Sequence, residues 1–165
     1  MRKVYILSLL VLFLIFTCIN GLCTNDVVFY SSFDGTADAQ ISGNDKKPRL
    51  EGSIHYIDGV QGKAVVVGGP NRIIYKAEGN IPTKKGTCCL WVNLLDWLPK
   101  VEHFNFFITF THAGDVQMRQ TVRVILYKIH NKPSLRLLFQ NDMLNRTNSI
   151  EKDISLWQEG QWHYL

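Results

Sequence analysis

The sequence predicts an all-β fold, an antiparallel sandwich or barrel, and three observations carry that expectation. Short runs rich in Val, Ile, Phe and Thr alternate apolar and polar side chains at a period of two. Turn residues separate the runs: Asp34-Gly35, Asp58-Gly59, Gly68-Gly69-Pro70 and Gly79-Asn80. No window holds a long 3.6-residue period, so helices are expected to be few and short.

The first segment is an exception with its own meaning. Arg2 and Lys3 precede an uncharged run of Leu, Ile, Val and Phe from Val4 to Ile19, and small residues follow at Gly21 and Cys23. That is the layout of a secretion signal cut after Cys23, so residues 1–23 are read as a signal peptide and 24–165 as one domain. The alternative is an uncleaved anchor helix, for which the apolar run is slightly short of the ~20 residues that span a bilayer. Membrane attachment is expected only in that case. Without Arg2 and Lys3 the balance is 16 Lys and Arg to 14 Asp and Glu, or +2. In a chain so close to neutral, with no Lys/Arg stripe, a nucleic-acid partner is not indicated.

Along the remaining chain the expected strands come in order. Val27–Phe33 is β-branched and aromatic, and a polar loop follows over 35–50. Ser53–Ile57, Lys63–Val67 and Arg72–Lys76 are short runs closed by turn residues. Thr87–Leu95 puts Cys88, Leu90, Val92 and Leu94 on one face and Cys89, Trp91 and Asn93 on the other. Phe104–Thr111, Val122–Leu126 and Leu135–Phe139 alternate likewise, and Gln161–Leu165 begins one more strand. Cys88 and Cys89 are neighbours on opposite faces of an extended chain and do not easily bridge each other. They are expected as buried or half-buried free thiols, so the fold must rest on a hydrophobic core.

Four pieces of sequence, in this order, resemble a known superfamily: Tyr30-Ser31-Ser32-Phe33-Asp34-Gly35, then Gly62-Lys63-Ala64-Val65, then Gly86-Thr87 leading to Trp91-Val92, and finally Gly160-Gln161-Trp162-His163-Tyr164-Leu165. The set is similar to the laminin-G-like, concanavalin-A-like lectin/glucanase domains of secreted proteins, from about Val27 to the end. The resemblance implies a jelly-roll β-sandwich, an extracellular location, and recognition of a glycan or a protein surface. In such domains the Trp-His strand is followed by further strands, whereas this sequence stops at Leu165. The expectation is therefore a concanavalin-A-like sandwich lacking its last strands, a piece of a longer reading frame.

Candidate sites follow from chemistry and from that resemblance. Glucanases of the superfamily carry Glu-x-Asp-x-x-Glu on one strand, a nucleophile and an acid/base facing one cleft. Here Glu151-Lys152-Asp153-Ile154-Ser155-Leu156 has Leu156 where the third carboxylate belongs. A leucine moves no proton, so no catalytic residue is assigned and the chain is read as a non-enzyme. The five histidines show no metal-ligand spacing. The resemblance implies calcium in some members, and Asp34 and Asp38 are the candidate ligands. The other reading of Asp34 is an Asp-Gly turn, because Ca²⁺ wants 6–8 oxygens. For glycan stacking the candidates are Trp91, Asn93 and Trp97. Trp91 points away from the Leu90/Val92 face, though burial is the usual fate of so large an aromatic. Trp97 precedes a Pro-containing loop. Asn145-Arg146-Thr147 is a glycosylation sequon in a polar stretch. The function expected is a secreted recognition module; the alternatives are an accessory part of a secreted glycoside hydrolase and a purely structural adhesion domain.

Overall fold

A computed structural model describes residues 26–82, 85–111, 122–141 and 144–165; the expected signal peptide, 1–23, lies outside them. The described chain is all-β. It contains twelve strands in five antiparallel sheets. No helix among the described residues is long and apolar enough to cross a membrane.

The first half of the chain forms three small ribbons. Strands β1 (Phe29–Tyr30) and β2 (Ile41–Ser42) pair, as do β3 (Arg49–Glu51) with β6 (Arg72–Ile74) and β4 (His55–Asp58) with β5 (Lys63–Val66). β2 falls in the middle of the segment read from sequence as a polar loop, and β3 overlaps its end. Both are too short to show a period, and their pairing is set by polar fastenings instead. The buried amide of Asn80 is one of these. Its Oδ1 accepts from Ser42 Oγ at 2.8 Å and Gly43 N at 2.9 Å, and its Nδ2 donates to Lys76 O at 2.8 Å. Asn80 is 2% exposed, so each of these bonds forms out of water. Tyr75 adds another, its hydroxyl donating to Ala37 O and reaching Ser31 Oγ at 3.2 Å, while its ring meets Phe29 edge-on at 4.8 Å.

The second half is dominated by one four-stranded sheet, in the order β11 (Arg146–Asp153), β10 (Ser134–Asn141), β9 (Val122–Lys128), β8 (Asn105–Thr111). The ladder register fixes its two faces, since cross-strand partners share a face. Leu126 opposes Leu137 and Ile108, Val124 opposes Phe139 and Phe110, and Leu137 also opposes Ile150, which makes an apolar face. The other face carries Phe106 against Tyr127, with Arg136 bonded to Glu151. A bulge between Phe106 and Ile108 lets Phe106 and Phe107 break the alternation. Arg146–Asp153, read from sequence as a polar loop running into a charged segment, is a full eight-residue edge strand. Its composition gives no β signal, because all its side chains are exposed and its pairing comes from β10.

The last pair, β7 (Trp91–Asn93) with β12 (Trp162–Tyr164), carries the site. The expected long strand over 87–95 shrinks to three residues, extended by a reciprocal main-chain pair between Leu90 and Leu165 at 3.1 and 2.9 Å. Val92 and Leu94 are buried on one side, with Leu94 fully enclosed. Cys88 and Cys89 precede the ladder and are both exposed, which corrects the expectation of buried or half-buried thiols. The reason is local: among the described residues no strand pairs with the chain before Leu90. Partial burial still pushes the Cys88 thiol above its ordinary value, with Cys89 adding to the shift.

Few hydrophobic side chains are fully buried: Ala37, Ala39, Val92, Leu94, Tyr127, Leu135 and Ile154. Beside them lies Lys128, fully buried at the end of β9. Its ammonium donates to Val101 O, to His103 O at 3.3 Å and to His130 O at 3.2 Å, so three carbonyls from two loops converge on one cation. Burial lowers its pKa, and the nearby Glu102 partly opposes that. Lys128→Met keeps the volume but removes the donor that three carbonyls share. Urea unfolding is expected to show a loss of about 3 kcal/mol or more. An unchanged midpoint would mean that water already serves those carbonyls.

Candidate functional site

In the β7–β12 ladder Trp162 opposes Asn93 and Tyr164 opposes Trp91. All four side chains therefore emerge from one face, away from Val92 and Leu94. Trp91 is 52% exposed and Tyr164 60% exposed, and their rings sit 5.2 Å apart, tilted by 51°. Trp162 and Asn93 are half-buried beside them. The result is a two-ring aromatic surface with an amide at its inner end. Hydrogen bonding with Cys89 is the largest influence on the Tyr164 phenol and holds its pKa above the ordinary range, so the hydroxyl stays protonated at neutral pH.

The amide of Asn93 is only half used. Its Nδ2 donates to Gly160 O at 3.1 Å, while its Oδ1 is buried and has no hydrogen-bond partner. Leaving an acceptor unpaired out of water costs about 1–3 kcal/mol. The same Gly160 donates its N–H to Leu94 O at 2.8 Å, so the loop before β12 is stitched to β7 at both positions. Behind the ladder, His163 stacks flat on Trp157, with ring centroids 3.8 Å apart and planes 3° from parallel. His163 Nε2 is also buried without a partner, and desolvation pulls its pKa below 6.5.

Of the sequence-predicted residues, then, Trp91 and Asn93 come together and Trp97 does not join them. Trp97 is half-buried and its ring meets that of Phe107, at the bulge of β8, with centroids 6.2 Å apart. Trp91, which its size would bury, is exposed, and among the described residues β12 is the one strand paired with β7. Tyr164 and Trp162 are the residues that sequence reasoning missed. They were visible as the Trp-His motif, and only the register with β7 shows that they share the Trp91 face.

The candidate metal residues sit elsewhere. Asp34 is exposed, and its Oδ1 accepts from Lys63 N at 2.8 Å. Phe33 takes φ 56° and Gly35 φ 75°, with Gly35 N donating to Phe33 O at 3.0 Å, so the Asp-Gly turn is real. Gly62 faces the Asp34 carboxylate so closely that a Cβ there would lie 2.6 Å from Oδ1, which explains the glycine. Asp38 is exposed, with its N–H donating to Thr36 Oγ1 at 3.1 Å. No group of three or more His, Cys, Asp or Glu gathers among the described residues. Two carboxylates, one already bonded to a main-chain N–H, fall far short of the 6–8 oxygens calcium takes, and the turn accounts for Asp34. Asn145, exposed with φ 47°, occupies the turn before β11. In the carboxylate segment, Glu151 is held by Arg136 Nε at 2.9 Å. Asp153 receives Ser155 N at 2.8 Å, which lowers its pKa, and Leu156 is exposed. No family model, curated protein or solved structure matches the chain.

The lowered pKa of His163 gives a pH dependence with a definite sign. The unfolded histidine protonates near 6.5 and the folded one only at lower pH, so the unfolded state binds more protons in between. Stability is expected to fall as pH drops from about 7 through 6.5 toward the folded value. His163→Phe, which keeps the stack on Trp157, should flatten this part of a melting-temperature profile. A slope that survives the substitution would assign the effect to another group.

Proposed function

We propose that this chain is an exported, non-catalytic recognition module of the laminin-G-like, concanavalin-A-like kind, and that the Trp91/Tyr164 face binds extracellular carbohydrate. One observation carries the reading: two large aromatic rings, Trp91 and Tyr164, stand exposed and adjacent on a paired backbone. A pyranose presents an apolar C–H face and a ring of hydroxyls. An aromatic platform takes the first, and the exposed phenol hydroxyl of Tyr164 meets the second. The rings are held in place by the β7–β12 ladder, so little side-chain freedom is lost on binding.

The jelly-roll assignment draws support from the way the four motif pieces meet. Asp34 of the opening motif bonds to Lys63 beside Gly62, and Trp91-Val92 pairs with Trp162-His163. Residues that resemble a family only as separate words are thus in contact as two couples. On this reading the apolar face of the four-stranded sheet is the inner face of the sandwich, and the N-terminal segment serves export. The carboxylates of β11 are spent on Arg136 and Ser155, which suits recognition better than hydrolysis.

Calorimetric titration of the protein with a panel of neutral oligosaccharides tests the proposal. Trp91→Ala and Tyr164→Ala are each expected to weaken binding about tenfold or more, as truncation of a central aromatic does. Trp97→Ala should leave affinity unchanged. Full affinity in Trp91→Ala, or no heat with any member of the panel, would overturn the glycan reading.

A further inference from the structure

The outer edge of β11 has chemistry of its own. β11 ends the four-stranded sheet, so one row of its main-chain N–H and C=O groups faces away from β10 with no strand beside it among the described residues. Edges of this kind are usually blunted by shortness, charged side chains, proline or a bulge, and of these β11 has only charges, Arg146, Glu151, Lys152 and Asp153, of both signs. β11 is eight residues long, contains neither proline nor glycine, and pairs with β10 without a register shift. It displays Ile150, 67% exposed, on the apolar face of the sheet, diagonal to the exposed Phe139.

We propose that β11 pairs with β11 of a second copy of this chain, giving an antiparallel, twofold-symmetric dimer with a continuous eight-stranded sheet. The twofold axis must stand normal to the sheet. Cross-strand partners share a face, so such a ladder has to be centred on a residue facing its own copy. Charge selects the centre. Centred on Ser149, the ladder sets Arg146 opposite the second copy's Lys152; centred on Glu151, it sets that carboxylate against itself. Centred on Ile150, it sets Ile150 against Ile150, Asn148 against Lys152, Ser149 against Glu151 and Thr147 against Asp153. No like charges meet, and the one apolar residue of the strand lies at the axis. The same symmetry keeps the two apolar faces on one side, so Phe139 and Ile150 of both copies adjoin. The interface depends on none of the residues of the aromatic platform.

Sedimentation equilibrium of the full chain, run as a concentration series, tests this, with Ser149 as the reporter because it faces Glu151 twice across the axis. Ser149→Lys creates two opposite-charge pairs and is expected to tighten the dimer, while Ser149→Glu creates two like-charge pairs and weakens it. Each changes the dissociation constant by about two- to thirtyfold. Far-ultraviolet circular dichroism confirms that both variants keep the fold. A monomer at every concentration overturns the proposal. So does weakening by both variants, which would indicate a ladder centred on Ser149, or a dimer indifferent to both, which would place the contact elsewhere.

Discussion

Antiparallel pairing of Trp91–Asn93 with Trp162–Tyr164 is the constraint from which the rest of the account follows, because it joins segments far apart in sequence. Closing so long a loop costs entropy, although the cost grows only slowly with length. The return comes from the ladder itself, the reciprocal Leu90–Leu165 bonds, the Gly160 bond to Leu94 O and the enclosure of Leu94. The pairing also decides which side chains are displayed. A shift of one residue would turn Trp162 and Tyr164 inward and expose His163. The stack of His163 on Trp157 opposes that shift, since it fixes the inward face of β12.

Elsewhere the fold is fastened by polar groups as much as by apolar burial. Lys128 draws three carbonyls around one ammonium, Asn80 satisfies three partners, and Asp34 ties the opening turn to the start of β5. Such fastenings specify one arrangement because each has few alternatives, and those of Asn80 and Lys128 are costly to break because these buried side chains are then left dry. The exposed ion pairs Lys63–Asp58 and Lys76–Asp45 add little by comparison, since water screens them.

Much of this was legible in the sequence where an apolar face exists to create a period. Phe104–Thr111, Val122–Leu126 and Leu135–Phe139 read as strands because one of their faces is apolar, and they are β8, β9 and β10. Arg146–Asp153 did not, because an edge strand exposed on all its residues has no apolar side to betray it. Ile41–Ser42 and Arg49–Glu51 are held by contacts with distant residues, which no local pattern records. For the site, Trp91 and Asn93 were identifiable from alternation alone. Tyr164 and Trp162 needed the register, and the place of Trp97 needed the bulge at Phe107, which follows from packing and not from residue type. The exposure of Cys88 and Cys89 reflects a missing neighbour strand, again a tertiary fact.

The central claim is that one face of one ladder is where the partner binds, and the four tryptophans provide natural reporters of it. Nitrogen–proton correlation spectra would follow the indole Nε1–H resonances of Trp91, Trp97, Trp157 and Trp162 during titration with an oligosaccharide. The account predicts that Trp91 and Trp162 shift together and saturably, while Trp97 and Trp157 stay in place. Movement of Trp97 or Trp157 with Trp91 unmoved would contradict it and locate recognition on another surface.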